Sequence, residues 1–334
     1  MGPHQSKTIK KQLLEPILPS AKQDGLVKDD LSVISKPSLS SGAPPRASIN
    51  TVQAKVWNPN NPESWDVEMR EYHSLEDSQY ALPSDEIEQS RLEVQHFVFR
   101  VGFKGDVICP AAKELVKQPG IKVLDVGCAK GFWLESVRKE NPLAEYYGVD
   151  IAQTLVSESQ GIKIQFGNVL EGLPCMRFLV LGMPKDRYAD ALKELVRVAK
   201  PGGWIEIVEA DVVVYKSGPH SKAWGQAMFS AMAARGLDCY AATNLEWHAR
   251  NVSQHISHQD TRTLHFRSRD DNTALGKMTG ENNKTGILAL EDWMHKAMGI
   301  TREEYRELAD SCFEEWAEYK SFGQARALYF QVKK

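Results

Sequence analysis

The stretch VLDVGCAKG, residues 123–131, places a short apolar strand directly before a glycine-containing turn, and a helical pattern follows the turn. Glycines let a ligand approach the backbone closely, and the start of a helix presents free N–H groups. The strand also carries an acidic residue near its end, Asp125. A strand, an acid and a glycine turn in this order are typical of the nucleotide-binding edge of an α/β sheet.

The segments that follow alternate between strand and helix patterns. EYYGVD ends at Asp150, IKIQF is another short apolar run, and residues 188–198 repeat apolar side chains at helical spacing. A Pro-Gly-Gly turn at 201–203 ends that helix, and WIEIVEADVVVY follows as a strand. Because these strands are too apolar for a sheet with one solvated face, the pattern predicts a parallel α/β sheet with helices on both faces.

Two kinds of nucleotide site compete for this turn. The dinucleotide fingerprint needs Gly-x-Gly-x-x-Gly or Ala. Counted from Gly127, this chain has Ala129 at the second glycine position and Phe132 at the last, so the fingerprint fails. The sequence therefore disfavours a dinucleotide oxidoreductase.

Counted from the acid, Asp125-x-Gly127-x-x-x-Gly131 resembles the first motif of class I S-adenosylmethionine (SAM) methyltransferases. Asp150 matches the acid that binds the ribose in that family, and Asn168, in FGNVLEGLP, stands where the family has Asp or Asn near the adenine. LKELVRVAKPGGWIEIVE resembles the family's helix, Pro-Gly-Gly turn and fifth strand. The resemblance implies a Rossmann-like class I methyltransferase fold with SAM as cofactor. It implies these cofactor-binding residues: Asp125, Gly127, Ala129, Gly131, Asp150, Ile151, Asn168 and Val169.

A narrower resemblance lies outside those motifs. The block YALPSDEIEQSRLEVQH at 80–96, together with GLDCYAATNLEWHARN and the closing ARALYF, is similar to a fungal methyltransferase group that includes regulators of secondary metabolism. This likeness covers roughly residues 70–334. It implies no particular substrate.

The chain departs from the family pattern at two places. Ala129-Lys130 replaces the commoner glycine and small residue of the turn, so the Lys130 ammonium must point to solvent, away from a cationic sulfonium. In addition, no Phe-Asp element separates LEGLPC from MRFLVLGMPKDRY, which leaves the fourth strand missing, shortened or replaced. If residues 175–181 replace it, Phe178 and Val180 must be buried on both sheet faces. A shortened gene product is the competing explanation.

The domain organisation follows from composition and pattern. Residues 1–56 have no aromatic residue and six of the 16 prolines, which predicts a disordered tail. We expect an N-terminal helical or lid segment over 57–120 and the methyltransferase domain over 121–334. The domain should carry a helical insertion at about 220–320, in which the polar, Asn- and Gly-rich segment 258–285 is a long loop.

Composition excludes several classes of protein. With 41 Lys and Arg against 44 Asp and Glu, the net charge of −3 argues against nucleic acid as a partner, and no stretch approaches the ~20 apolar residues of a membrane span. Five cysteines without a Cys-x-x-Cys argue against a disulfide framework and fit an intracellular protein, in the cytoplasm or the nucleus. The clustered histidines at 248, 255 and 258 lack an acid or cysteine to complete a metal site, so no metal is expected.

The function predicted from the sequence is methyl transfer from SAM to a small metabolite or a protein. Because displacement at a sulfonium is direct, orientation supplies much of the catalysis, and no catalytic residue can be named. A catalytically impaired methyltransferase-like regulatory or binding protein is the alternative, favoured by the missing fourth strand. The methyl acceptor and the oligomeric state are not readable from the sequence.

Overall fold

The computed structural model of the protein describes residues 49–57, 65–73, 80–150, 161–166 and 176–333. Its strands are β1 (Ile49–Trp57), β2 (Trp65–His73), β3 (Lys122–Val126), β4 (Glu145–Asp150), β5 (Ile162–Phe166), β6 (Met176–Arg177), β7 (Trp204–Ala210), β8 (Ile256–Arg267) and β9 (Phe322–Val332). Its α-helices are α1 (Glu86–Phe103), α2 (Pro110–Leu115), α3 (Phe132–Glu140), α4 (Tyr188–Val198), α5 (Pro219–Ala234), α6 (Leu245–Ala249), α7 (Ala274–Ala289), α8 (Glu291–Met298) and α9 (Arg302–Glu318). Within these ranges no helix is both long and apolar enough to cross a membrane.

Two sheets lie side by side at the centre of residues 47–334. One is parallel, in the order β5-β4-β3, and the other has the order β6-β7-β9-β8. In the second sheet β6 is parallel to β7, whereas β9 is antiparallel to both of its neighbours. β3 packs next to β6, so the strands follow one another as β5-β4-β3-β6-β7-β9-β8. The expected α/β architecture with helices on both faces is present.

The fourth strand is present but very short, which corrects the expectation of a replacement strand over 175–181. Among the described residues, Met176 and Arg177 pair with β7, at Ile207 and Val208, and the Phe178 N–H donates to the Val208 carbonyl at 2.8 Å. Phe178 then takes a left-handed backbone conformation, φ +54°, which ends the strand. The chain turns at Leu179–Met183 instead of continuing along the sheet. Of the two side chains expected on the sheet faces, Val180 is buried and Phe178 is partly buried, but both lie beyond the strand.

β7 shows why this region of the sheet holds together. Its side chains alternate, so Ile205 and Ile207 join one hydrophobic core and Val208 joins another on the opposite face. The first core includes Tyr188 and Leu192 of α4, and the second includes Phe99 of α1. A strand buried on both faces is typical of a parallel sheet covered by helices.

An N-terminal hairpin corrects the expected boundary of the tail. β1 and β2 pair antiparallel from Ile49↔His73 to Trp57↔Trp65. Residues 49–56, expected to be disordered, therefore form a strand, in which the backbone pairs with β2. The segment expected to be helical also begins with β2. Residues 1–48 lie outside the described part of the chain.

This hairpin is joined to α1 by a buried ion pair. The Arg70 guanidinium donates to both Asp85 carboxylate oxygens at 2.6 and 3.0 Å, and both side chains are almost fully buried. Asp85 also caps α1 by accepting from the Glu88 N–H at 2.9 Å. One carboxylate therefore fixes both the hairpin and the start of a helix that lines the candidate site.

The segment 258–285 is not the long loop that its composition predicts. Its first ten residues belong to β8, which pairs with β9 along the outer edge of the second sheet, where polar side chains are tolerated. Its last twelve belong to α7, whose N-cap Thr273 accepts from the Gly276 N–H at 3.0 Å. The helix forms despite its weak helix propensity because it packs closely against neighbouring side chains. At Gly280 the packing is so close that a Cβ would lie 3.0 Å from the Arg269 side chain. The insertion at 220–320 is thus not purely helical.

Candidate functional site

The turn after β3 is held against the neighbouring strand. The Gly127 and Cys128 N–H groups both donate to the Val149 carbonyl, at 2.8 and 3.1 Å. Gly127, Ala129 and Gly131 all have positive φ values, of 67°, 48° and 79°. Because several N–H groups of the turn are bonded inside the protein, the turn contributes a close-approach surface more than free donors.

Asp125 is buried, and its burial strongly affects the pKa of its carboxyl. Only 3% of its surface is accessible, and its Oδ1 atom has no hydrogen-bond partner among the described residues. Burial raises the pKa of its carboxyl to about 7; Asp150 adds to the rise, and Arg177 opposes it. A cationic group placed beside Asp125 would restore its charge, because opposite charges favour the ionised form.

Asp150 lies at the end of β4, next to the turn. Its Oδ2 atom accepts a hydrogen bond from the Ala129 N–H at 2.8 Å. β3 and β4 are adjacent and parallel, so Asp125 and Asp150 lie at the same edge of the sheet. Both carboxylates, with Gly127 and Ala129, line one cavity of about 150 Å³.

The remaining predicted residues divide into two groups. Gly131 is the N-cap of α3, and its N–H donates to the Cys128 carbonyl at 2.7 Å; it does not line the cavity. Ile151, Asn168 and Val169 lie outside the described residues. The structure therefore brings together four of the eight residues and places a fifth behind the turn.

Lys130 points away from the cavity, as the sequence requires of a lysine in this turn. Its ammonium forms an ion pair with Glu86, at the exposed start of α1. The pairing removes a cation from the neighbourhood of Asp125 and Asp150. The unusual Ala129-Lys130 pair is thus compatible with a cationic ligand.

Sequence reasoning missed the residues that the shortened strand contributes. Arg177, Phe178 and Leu179 line the cavity opposite the turn. The Arg177 guanidinium lies 5.2 Å from the centre of the Trp133 ring and donates to the Asp106 carbonyl at 3.4 Å. In the sequence, the one indication of this segment was that MRFLVLG follows LEGLPC without the Phe-Asp element that the family has there.

Glu209 holds the turn that follows the short strand. Its carboxylate accepts from the Leu179 and Val180 N–H groups, at 3.0 and 3.3 Å, and from the Tyr188 hydroxyl at 3.2 Å. Burial raises the pKa of Glu209 to about 7, and these three hydrogen bonds oppose the rise. Leu179 in turn lies over Gly127, where a Cβ would be 2.8 Å from its Cδ2 atom.

His96 of α1 also lines the cavity; its place in the helix beside Phe97 and Phe99 predicts a core or capping group, with a site-facing role as the alternative. Burial lowers the pKa of its imidazole to about 4, with contributions from Arg177 and Arg100. The ring is therefore neutral at pH 7, and its Nε2 atom lies 3.5 Å from Asp106. A histidine with so low a pKa is a weak base.

A second cavity, of about 210 Å³, adjoins the first. Four residues line both: Tyr80, Leu92, Gln95 and Phe178. The ring of Phe178, at the strained end of the short strand, thus stands between the two cavities. Over the described ranges, no group of three or more His, Cys, Asp or Glu side chains could hold a metal ion.

Comparison with known proteins finds a family whose sequence pattern this chain matches. The methyltransferase domain family matches residues 95–267, slightly more than half of the chain. The N-methyltransferase sirN of Leptosphaeria maculans is 27% identical over 155 residues, which are 43% of this chain and 54% of that protein. The secondary metabolism regulator laeA of Aspergillus fumigatus is 34% identical over 105 residues, 31% of this chain and 26% of that protein.

This chain spans about half or less of the length of these relatives. Among solved structures, Haemonchus contortus Phospholethanolamine N-methyltransferase 2, in complex with phosphomonomethylethanolamine and S-adenosylhomocysteine, aligns with a TM-score of 0.43 and 10% identity. That alignment covers 86% of this chain and 69% of the Haemonchus protein.

Proposed function

This chain belongs to the methyltransferase domain family, and we propose that it binds SAM and transfers the methyl group of SAM to an acceptor. One observation carries this proposal. Asp125 and Asp150 lie at the ends of adjacent parallel strands, on one cavity, and a buried Asp125 oxygen has no partner among the described residues. Such an orphaned carboxylate fits a ligand that brings its own cation.

The cofactor-binding residues have proposed roles. Asp125 holds the cationic amino group of the methionine portion, and Asp150 accepts hydrogen bonds from the ribose hydroxyls. The turn over 127–131 lets the cofactor approach the backbone. We assign Ile151, Asn168 and Val169 to the same site, with Asn168 near the adenine, on the family resemblance alone.

Bound SAM supplies an activated methyl group on a sulfonium. The protein therefore needs no nucleophile of its own, and its task is to hold the acceptor in line with the methyl group. Orientation of this kind contributes roughly 7–11 kcal/mol to such reactions. His96, with its pKa lowered to about 4 by burial, would be a poor general base, and we assign no catalytic residue.

The acceptor is a small metabolite or a protein. Two relatives are named N-methyltransferases, sirN of Leptosphaeria maculans and verN of Clonostachys rogersoniana, and a nitrogen atom is accordingly the acceptor atom that we propose. The cysteines at 109, 128, 239 and 312 are free thiols. Free thiols support a site of action inside the cell, in the cytoplasm or the nucleus.

A methyltransferase-like regulator without turnover is the second candidate. The observation that favours it is the length of β6, two residues in the described part of the chain, because this strand flanks the cofactor cavity. Binding without transfer of the methyl group would support this candidate over the enzyme.

Thermal unfolding with added nucleotides tests the proposal. S-adenosylhomocysteine at about 100 times its dissociation constant should stabilise the chain by about 2.7 kcal/mol, whereas NAD should leave the transition unchanged. Stabilisation by NAD, or by neither compound, would contradict the proposal. Label from methyl-labelled SAM, recovered in compounds of a metabolite extract, would then separate the enzyme from the regulator.

A further inference from the structure

The second cavity has an apolar wall. Its larger side chains come from α1, α5, α9 and the end of β8, and they include Phe99, Trp224, Met228, Phe266 and Trp316. At about 210 Å³ the cavity is smaller than the ~300–1,000 Å³ of sites for drug-sized ligands. It suits a compact molecule with a large apolar surface.

The charged side chains of this cavity already have partners. Arg91 donates to the Glu88 carboxylate at 2.6 to 3.0 Å and to the Gln95 side chain at 2.8 Å. Asp211 accepts from Arg326 at 2.7 Å. A ligand with a net charge would therefore find no unpaired counter-ion among the described lining residues, and burying it would cost desolvation energy.

Several polar atoms of the cavity-lining residues remain without partners among the described residues. They include the Oδ1 atom of Asn282, on α7, the Oγ atom of Ser268 and the Nε1 atom of Trp316, and none of these has a hydrogen-bond partner among the described residues. Asn282 is 8% exposed and Ser268 is fully buried. Buried polar atoms are normally bonded, and because the Asn282 oxygen can only accept, it indicates a ligand that brings a hydrogen-bond donor, whereas the Trp316 N–H can only donate.

The position of the cavity connects it to the cofactor site. The ring of Phe178 borders both cavities, and it packs against the Phe99 ring at an angle of 37°, with ring centres 4.7 Å apart. A molecule in the second cavity would thus lie next to a cofactor in the first.

On these contacts, and resting on the proposed function, we propose that the second cavity binds the methyl acceptor, and that this acceptor is a compact, uncharged, largely apolar molecule whose N–H or O–H group donates to Asn282. The lack of an unpaired carboxylate disfavours the charged side chain of a protein lysine. The acceptor is therefore a small molecule and not a protein.

Calorimetry on the purified full chain tests this proposal with defined probes. Indole, which carries an N–H donor, should bind saturably, and benzofuran, which has the same shape without the donor, should bind about tenfold more weakly. Indole-3-acetate and Nα-acetyl-lysine methylamide should bind at least tenfold more weakly than indole. No binding of indole, equal binding of benzofuran, or tighter binding of either charged probe would overturn the proposal, and preference for the lysine derivative would favour a protein acceptor.

Two variants localise the effect. Asn282→Leu should weaken indole about tenfold and leave benzofuran unchanged, whereas Asn272→Leu, at an exposed position outside the cavity, should change neither. If Asn282→Leu does not fold, the comparison of the four probes on the parent chain still decides. Titration of S-adenosylhomocysteine on the same samples separates the two proposals. If it binds and indole does not, only the acceptor proposal fails; if it does not bind, the proposed function fails.

Discussion

The Leu179 N–H donates to the Glu209 carboxylate at 3.0 Å, and this contact joins the end of β7 to the segment that stands in for most of the fourth strand. In a full strand the N–H groups after Phe178 would pair with a neighbouring strand. Here the Glu209 side chain accepts hydrogen bonds from the Leu179 and Val180 N–H groups instead. As a result, the Leu179 side chain is held over Gly127, in the turn that we assign to the cofactor.

Replacing Glu209 should therefore affect both stability and cofactor binding. Glu209→Gln leaves at least one buried donor without an acceptor, which should reduce the free energy of unfolding by about 1–3 kcal/mol. It should also weaken SAM binding severalfold, because Leu179 is no longer fixed above the turn. Chemical denaturation and calorimetry measure the two effects.

Glu206→Gln is the matched control. Glu206 lies on the same strand and accepts from the Ile108 and Cys109 N–H groups, both at 2.8 Å, away from the Leu179 turn. Because both N–H groups donate to the same oxygen, the amide oxygen of the variant can still accept them, so this variant should lose less stability and show little change in SAM affinity. Equal losses of SAM affinity in the two variants would argue against a positioning role for Glu209.

Gly127→Ala tests the close approach at the turn. Alanine at φ +67° is strained by roughly 1–2 kcal/mol, and its Cβ would lie 2.8 Å from Leu179 Cδ2. Gly120→Ala has the same strain, at φ +77°, but nothing lies within 4 Å of its Cβ. We expect Gly127→Ala to abolish measurable SAM binding and Gly120→Ala to preserve it. Similar affinities in the two variants would remove the turn from the site.

The affinity for SAM should depend on pH through Asp125. Burial raises the pKa of this carboxyl to about 7, and the ionised form is the one that attracts an ammonium group. Between pH 6 and pH 8 the ionised fraction rises about tenfold, so the association constant should rise by about the same factor. Calorimetry at several pH values, in buffers of matched ionic strength, measures the profile.

Asp125→Asn serves as the control for this profile and for the sign of the stability effect. It should bind SAM weakly at every pH, without the rise. A folded-state pKa above that of the unfolded chain means that the carboxylate destabilises the fold as pH rises through about 4 to 7. Without ligand, Asp125→Asn should therefore melt higher than the parent at pH 8 and close to it at pH 4. A parent SAM affinity independent of pH would contradict the assignment of Asp125.

The sequence predicted the parts of the candidate site that are local along the chain, and their role in cofactor binding stays a prediction. Asp125, the glycine turn and Asp150 follow from strand ends and one short motif, and the family that this motif resembles is confirmed by the match over residues 95–267. The apolar residues of WIEIVEADVVVY likewise predicted a strand covered on both faces, and β7 is buried in this way.

Contacts between distant segments were not predictable in this way. Glu209 and Leu179 are thirty residues apart, and nothing in either segment indicates that one carboxylate replaces strand pairing. The helix α7 contains glycines and asparagines that lower helix propensity, but close packing against Arg269 and Phe313 requires a small residue at Gly280. The strand β1 ends a segment whose composition predicts disorder, and it depends on pairing with β2, a contact that composition does not reveal.

Isothermal titration calorimetry of SAM with the parent chain and with Asp150→Ala tests the central claim most directly. We expect saturable binding of one SAM per chain. In Asp150→Ala the affinity should fall by roughly 1.5–3 kcal/mol, because charged hydrogen bonds to the ribose are lost and the Ala129 N–H loses its acceptor. No binding of SAM to the parent chain, or equal binding by parent and variant, would contradict the account.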